Sequence, residues 1–225
     1  MRVALAKCLR STAVITNLLT NPGFETGNFA GWTVGGQNGG YGVATDGTAL
    51  PVTSAVTGWP DLYFPSRQNV HSGDFAAYGI TAGDSQEGFR EYVSFSQSLS
   101  LAPGKYELGF YLGTDNTPGG TGLTAALDSG HLGIYVDGHH VPFTTLPPAN
   151  LLGGSGPMDF VLCSAELSLA GGPHNIGFHL SGSGTGRVGM SMDDAFVAAV
   201  PEPGTVGLVL LGGAVLMFVQ LRRRP

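Results

Sequence analysis

The sequence predicts an all-β fold, a β-sandwich, and three observations predict it. Apolar and polar residues alternate with period two in one segment after another. No helical periodicity appears before residue 204, and glycine and proline punctuate the segments. Charged residues make up only 12% of the chain against 42% hydrophobic, the reverse of a disordered composition. A parallel α/β fold would need amphipathic helices between its strands, and none is legible.

The elements follow in order. Tyr92 to Leu101 reads as a strand, closed by Ala102-Pro103-Gly104-Lys105 as a turn. Tyr106, Leu108, Phe110 and Leu112 then share one strand face, opposite Glu107, Gly109 and Tyr111. Leu132, Ile134 and Val136 form a further face, ended by the hairpin signal Asp137-Gly138. Ile176, Phe178 and Leu180 alternate with Asn175, Gly177 and His179. After the Ser-Gly-rich loop 181–186, Val188, Met190 and Met192 begin a last strand. Short strands separated by Gly- and Pro-rich turns argue for a sandwich.

Charge narrows the partners. Between residues 17 and 200 only Arg67, Arg90, Lys105 and Arg187 stand against fifteen acidic residues. Such a body repels phosphate backbones, which argues against nucleic acid, and suits divalent cations. Of the two cysteines, Cys8 lies in the leader region, so its removal leaves no intramolecular disulfide; Cys163 is expected as a small buried residue.

The carboxyl end carries a separate signal. Gly204 to Leu221 holds no charge, one hydroxyl (Thr205) and one amide (Gln220). As a helix it would reach about 27 Å, enough to cross a hydrocarbon core. Arg222, Arg223 and Arg224 follow, and arginine clusters stay on the cytoplasmic side, so the body is expected outside the membrane. Pro201-Glu202-Pro203, an apolar helix and a basic tail, in that order, resemble the PEP-CTERM sorting signal of Gram-negative bacteria. The resemblance implies inner-membrane anchoring through a single transmembrane helix at 204–221. It also implies an exosortase cutting near the tripeptide and release toward the envelope or extracellular matrix. Residues 1–16 read as a degenerate or truncated leader, since the apolar run Ala13-Val14-Ile15 is soon interrupted. The chain therefore divides into leader 1–16, sandwich domain 17–200 and sorting signal 201–225.

A second resemblance frames the body. Asn17 to Trp32, with Asn21-Pro22-Gly23-Phe24-Glu25 at its centre, is similar to the opening strand of galactose-binding-like jelly rolls, including many carbohydrate-binding modules. Met192-Asp193-Asp194-Ala195-Phe196-Val197 is similar to their closing strand, and the blocks at 71–78 and 95–108 match inner strands in order. The resemblance implies a structural calcium beside the first and last strands, with Glu25, Asp193 and Asp194 at the matching positions. Parity adds a physical reason. Val188, Met190, Met192, Asp194 and Phe196 fall on one face, and a carboxylate on a core face must be hydrogen-bonded, protonated or neutralised. Turn hydrogen bonds, with a bulge rotating Asp194 outward, are the alternative.

For a sugar, the richest stretch is 58–67, where Trp59, Asp61, Tyr63 and Arg67 combine rings with polar groups. Tyr41, Arg90 and Tyr92 are added candidates, whereas Trp32 belongs to the core. The competing account of Trp59 to Arg67 is a long loop stapled onto the sandwich by its aromatics. His139 and His140 read as solvated turn residues. No Cys-x-x-Cys, His-Glu-x-x-His or Gly-x-Ser-x-Gly is present, and the Gly-Gly-Thr-Gly stretch at 119–122 opens no helix. Glu87 and Glu91 are a carboxylate pair without a framing motif, so a glycosidase is the weakest reading. The expected protein is a non-catalytic exported surface or matrix component engaging exopolysaccharide, a ligand implied by the sorting family. A purely structural matrix component without a ligand is the alternative.

Overall fold

The period-two pattern at 92–112 becomes two long strands that lie in different sheets. In this computed structural model the described residues are 16–37, 40–45, 70–82, 92–114, 132–146, 160–180 and 187–201. The first sheet has the order β1 (Thr33–Gln37), β4 (Tyr92–Leu101), β10 (Gly172–Leu180), β6 (Gly133–Val136), β7 (His139–Val141). The second has the order β2 (Gly40–Ala44), β3 (Ala76–Ala82), β11 (Arg187–Ala199), β5 (Gly104–Thr114), β9 (Phe160–Leu169), β8 (Thr144–Leu146). Every described pairing is antiparallel. The Ala102-Pro103 turn therefore carries the chain from one sheet to the other instead of joining hairpin partners.

The facing sides interdigitate into one core. Val93, Phe95, Ile134, Ile176, Phe178 and Leu180 from the first sheet meet Leu108, Phe110, Leu112, Met190, Met192 and Val197 from the second, all buried. Phe110 and Phe178 meet edge to face at 5.3 Å across the sandwich. Fully burying one such side chain contributes about 1.5–3 kcal/mol. Trp32 joins this core as expected, stacked on Phe24 at 5.2 Å, and its indole N–H donates to the Asn21 carbonyl at 2.9 Å. Cys163 is likewise buried, and burial pushes its thiol up to about 12.

The opening segment stitches the ends of the fold together. Leu18 N–H donates to the Val197 carbonyl at 2.9 Å, and Ala195 N–H to the Pro22 carbonyl at 3.1 Å. Asn17 adds two bonds, donating to the Ala195 carbonyl at 2.8 Å and accepting from Val197 N–H at 3.1 Å. Buried Gln97 on β4 does the same for Thr20, donating at 2.7 Å and accepting at 3.0 Å. Among the described residues no helix is long and apolar enough to cross a membrane; the segment 204–221 lies outside them.

The Asp137-Gly138 turn joins β6 to β7 with both residues at positive φ, 52° and 79°, as a two-residue hairpin loop demands. Its carboxylate also clasps β10. Asp137 accepts from Asn175 N–H at 2.8 Å, and lies 2.8 Å from His174 Nδ1. His174 Nε2 lies 2.9 Å from the Ala170 carbonyl. Both ring nitrogens face acceptors, so the geometry suits the doubly protonated imidazolium. These bonds raise the His174 pKa and, led by the Asn175 N–H, lower that of Asp137. The raised histidine stabilises fully below its unfolded value of 6.5, and that contribution fades as pH rises through the folded value. The lowered aspartate stabilises above its unfolded value of 3.8, and is lost as pH falls through the folded one. The melting-temperature gap between wild type and His174→Gln should thus be widest between about pH 4 and 6.5, and narrow on either side. Thermal melts across that range check it; a gap independent of pH would refute the clasp.

Candidate functional site

The local chemistry of β11 is set by one extra residue. Asp193 pairs with Tyr111 but Phe196 pairs with Gly109, so two residues of β11 oppose one of β5. Asp194 takes the strain at φ 45°, an uncommon left-handed conformation for a non-glycine residue. The bulge flips the parity downstream. Met190 and Met192 face the core, and so do Ala195 and Val197, while Asp194 turns out, half-buried. The simple alternation that put Asp194 and Phe196 on the core face is corrected by this bulge.

Asp193, not Asp194, is the fully buried acid. It sits on the outer side of the second sheet beneath the 71–75 segment, which leads into β3. Its Oδ2 accepts from His71 N–H at 2.8 Å and Ser72 N–H at 3.0 Å, and its Oδ1 from Asp194 N–H at 2.7 Å. Desolvation nevertheless pushes its pKa up to about 6, helped by the neighbouring Asp194 charge and opposed by the N–H donors. Asp194 Oδ2 binds the same two residues through their side chains, His71 Nδ1 at 2.7 Å and Ser72 Oγ at 2.8 Å. The His71 ring stacks on Tyr111 at 3.7 Å. Glu25, from the opening turn, takes the far end of the segment, accepting from Asp74 N–H at 3.0 Å and Phe75 N–H at 3.4 Å.

Three carboxylates thus grip one short segment and converge on one spot. A Cβ added at Gly23 would lie 3.4 Å from Asp193 Oδ1, 3.4 Å from Asp194 Oδ1 and 3.6 Å from Glu25 Oε1. Clustered hard oxygens around a desolvated acid fit a calcium-like cation better than a transition metal. Among the described residues no three acidic, histidine or cysteine side chains close into a ready-made cage, so a cation would also need backbone carbonyls. A pocket of about 440 Å³ lined by Thr45, Gly73, Asp74 and Phe75 opens beside the segment. Among the described residues its one ring, Phe75, lies against Gly27.

A second feature escaped the sequence. On the outer face of the first sheet, His179 lies between Tyr92 (5.2 Å, 9°) and Tyr135 (3.8 Å, 18°). Tyr135 also meets His140 edge-on at 5.3 Å, and His140 meets Phe143 at 6.1 Å. Ser94 and Ser96 of β4 share this face, and Gly133 and Gly177 keep its floor low. The outward positions of Tyr92, Tyr135 and His179 were legible from alternation, but their adjacency depends on the strand order β4-β10-β6-β7. His139 and His140, expected in the turn, begin β7 instead, and only His140 joins the row. Tyr41 sits exposed on β2 in the other sheet, its ring edge-on to Phe29. Trp59, Asp61, Tyr63, Arg67 and Arg90 lie outside the described residues, as do Glu202, Pro203 and Arg222 to Arg224; Pro201 is exposed at the end of β11.

A PEP-CTERM protein-sorting motif matches residues 199–224. Motifs of this kind are C-terminal sorting signals of secreted or envelope proteins. No curated protein matches the chain. Its structural neighbours include carbohydrate-binding β-sandwich modules. TmCBM61, solved in complex with β-1,4-galactotriose, is 19% identical with a TM-score of 0.41, covering 82% of this chain and 99% of that one. Carbohydrate-binding modules from the β-sandwich superfamily give 13% and 0.34, over 81% and 62% of the two chains. The enzymatically active domain of bacteriophage CBA120 tailspike protein 4 gives 13% and 0.42, over 82% and 21%. The chain is thus a two-sheet β-sandwich protein that carries a PEP-CTERM sorting motif.

Gly73 tests the carboxylate grip. At φ 75° an added Cβ would collide with the Glu25 carboxylate, whereas at Gly138, φ 79°, it would meet nothing within 4 Å. Both alanine variants carry the backbone penalty of about 1 kcal/mol, but only Gly73→Ala must also displace Glu25. Urea unfolding should show Gly73→Ala destabilised by about 1–3 kcal/mol more than Gly138→Ala. Equal losses would mean that Glu25 does not hold the segment.

Proposed function

We propose that this chain is a non-catalytic exported protein of a Gram-negative envelope or matrix, with a sandwich body over 17–200 that engages polysaccharide. One observation carries the reading: β11, the strand bearing the two aspartates, runs directly into the sorting motif. In this account residues 204–221 anchor the chain in the inner membrane, with Arg222 to Arg224 on the cytoplasmic side. An exosortase-type enzyme then processes it near Pro201, Glu202 and Pro203. The acidic body and the missing nucleophile and metalloprotease motifs favour binding over catalysis.

Calcium is proposed as a structural staple held by Glu25, Asp193 and Asp194 with backbone carbonyls. What supports it is the convergence of three carboxylates around Gly23 and the desolvated Asp193, whose charged form a divalent cation would stabilise. Thermal melts with chelator and with millimolar calcium should differ by several degrees, since ligand at about 100 times its Kd adds roughly 2.7 kcal/mol. Glu25→Gln should remove most of that difference. An unchanged melting temperature in wild type would discard the staple.

Two surfaces are proposed for the glycan: the Trp59, Asp61, Tyr63 and Arg67 stretch, and the Tyr92–His179–Tyr135–His140 row. The row offers ring edges and serine hydroxyls, which suit hydrogen bonding to sugar hydroxyls more than ring stacking. The mutual stacking of its rings also favours the second reading, a cross-strand ladder that only braces the sheet. Pull-down on the host's own exopolysaccharide distinguishes them. Tyr135→Ala or Trp59→Ala should reduce retention at least several-fold if its surface binds. A Tyr135→Ala protein that is less stable yet fully retained would leave the row a brace.

A further inference from the structure

The sorting motif begins inside the folded body. Its first matched residue, Ala199, is the last residue of β11 and pairs with Tyr106 of β5. Val200 is still engaged, its N–H donating to the Lys105 carbonyl at 2.8 Å, and Pro201 is the first residue free of the sheet. No spacer separates the sandwich from Pro201-Glu202-Pro203. The four steps from Val200 to Gly204 span at most about 14 Å even when fully extended. The globule is therefore held almost flush against the point where the apolar stretch starts.

This arrangement conflicts with how peptidases take their substrates. A chain in such a site lies extended, with backbone N–H and C=O groups on the enzyme for several residues around the cleaved bond. Here the upstream residues are already committed to β5 through the pairs Val197↔Leu108, Ala198↔Glu107 and Ala199↔Tyr106.

Resting on the sorting role proposed above, we infer that residues 198–200 must peel from β5 before a membrane-embedded endopeptidase can cut near the Pro201–Pro203 triplet. The folded sandwich thereby limits the rate of its own release. The reaction adds water across one peptide bond. The upstream carbonyl carbon ends as a carboxylate, and the downstream nitrogen takes a proton and leaves as a new amino terminus.

The same structure sets how far the peeling runs. Ala198 is buried but small, Ala199 is exposed and Val200 half-buried, so little apolar surface opposes their departure. Val197 is fully buried and locked on its other side by Asn17 and Leu18. The strand end can open over residues 198–200 while the bulge, the carboxylates and buried Val197 stay in place. After the cut, the pairs Ala198↔Glu107 and Ala199↔Tyr106 can form again on β5.

The test inserts Gly-Ser-Gly-Ser-Ala-Val after Val200 in the full-length chain, expressed in its native host. The last two inserted residues repeat Ala199 and Val200, so the enzyme still meets the motif whole while β11 stays paired. Pulse-chase with intact-mass analysis reads the rate at which the precursor shortens. Two backbone hydrogen bonds that no longer need breaking should make the spaced form about tenfold faster. An equal or slower rate for the spaced form overturns the inference and leaves the sorting role standing. A wild-type chain that never shortens near the triplet overturns the sorting role itself, and this inference with it.

Discussion

The rest of the molecule depends on how β11 is held. It is an interior strand of the second sheet, with β3 along its first half and β5 along nearly its whole length. Where β3 stops, the opening segment takes over through Asn17, Leu18 and Pro22. Residues about 180 positions apart are thus bonded directly, so the sandwich closes only when both ends of the body are present. Contacts of such sequence separation carry the largest loop-closure entropy, and they are repaid here by the apolar core they seal.

The bulge in that strand turns a packing element into a chemical one. Without the extra residue Asp194 would point into a layer of Met190, Met192 and Phe110, where an unpaired carboxylate is strongly disfavoured. With it, both aspartates reach the outer side and grip the segment 71–75 from beneath, while Glu25 grips from the opening turn. The raised pKa of Asp193 records what remains uncompensated: three N–H donors do not fully replace water around a buried charge.

The two faces of the sandwich divide the chemistry between them. Carboxylates and loop cover the outer side of the second sheet, and rings and serines line that of the first. On the latter, the Tyr92, His179 and Tyr135 rings stack on one another and His140 meets Tyr135 edge-on, so the stack braces the sheet across three strands while presenting polar groups.

The sequence by itself determined the fold class, strand β4 to the residue, the Asp137-Gly138 hairpin, the core role of Trp32 and Cys163, and the sorting motif. These are local properties: alternation, turn chemistry and a contiguous signal need no knowledge of distant neighbours. Glu25, Asp193 and Asp194 were legible as acids worth watching, but not their geometry. Only the tertiary structure decided which aspartate is buried, because a single inserted residue inverts every parity argument after it. It alone brought Tyr92, His179, Tyr135 and His140 into one row, since strand order in a sheet is set by packing between distant segments and leaves no periodic trace in the chain.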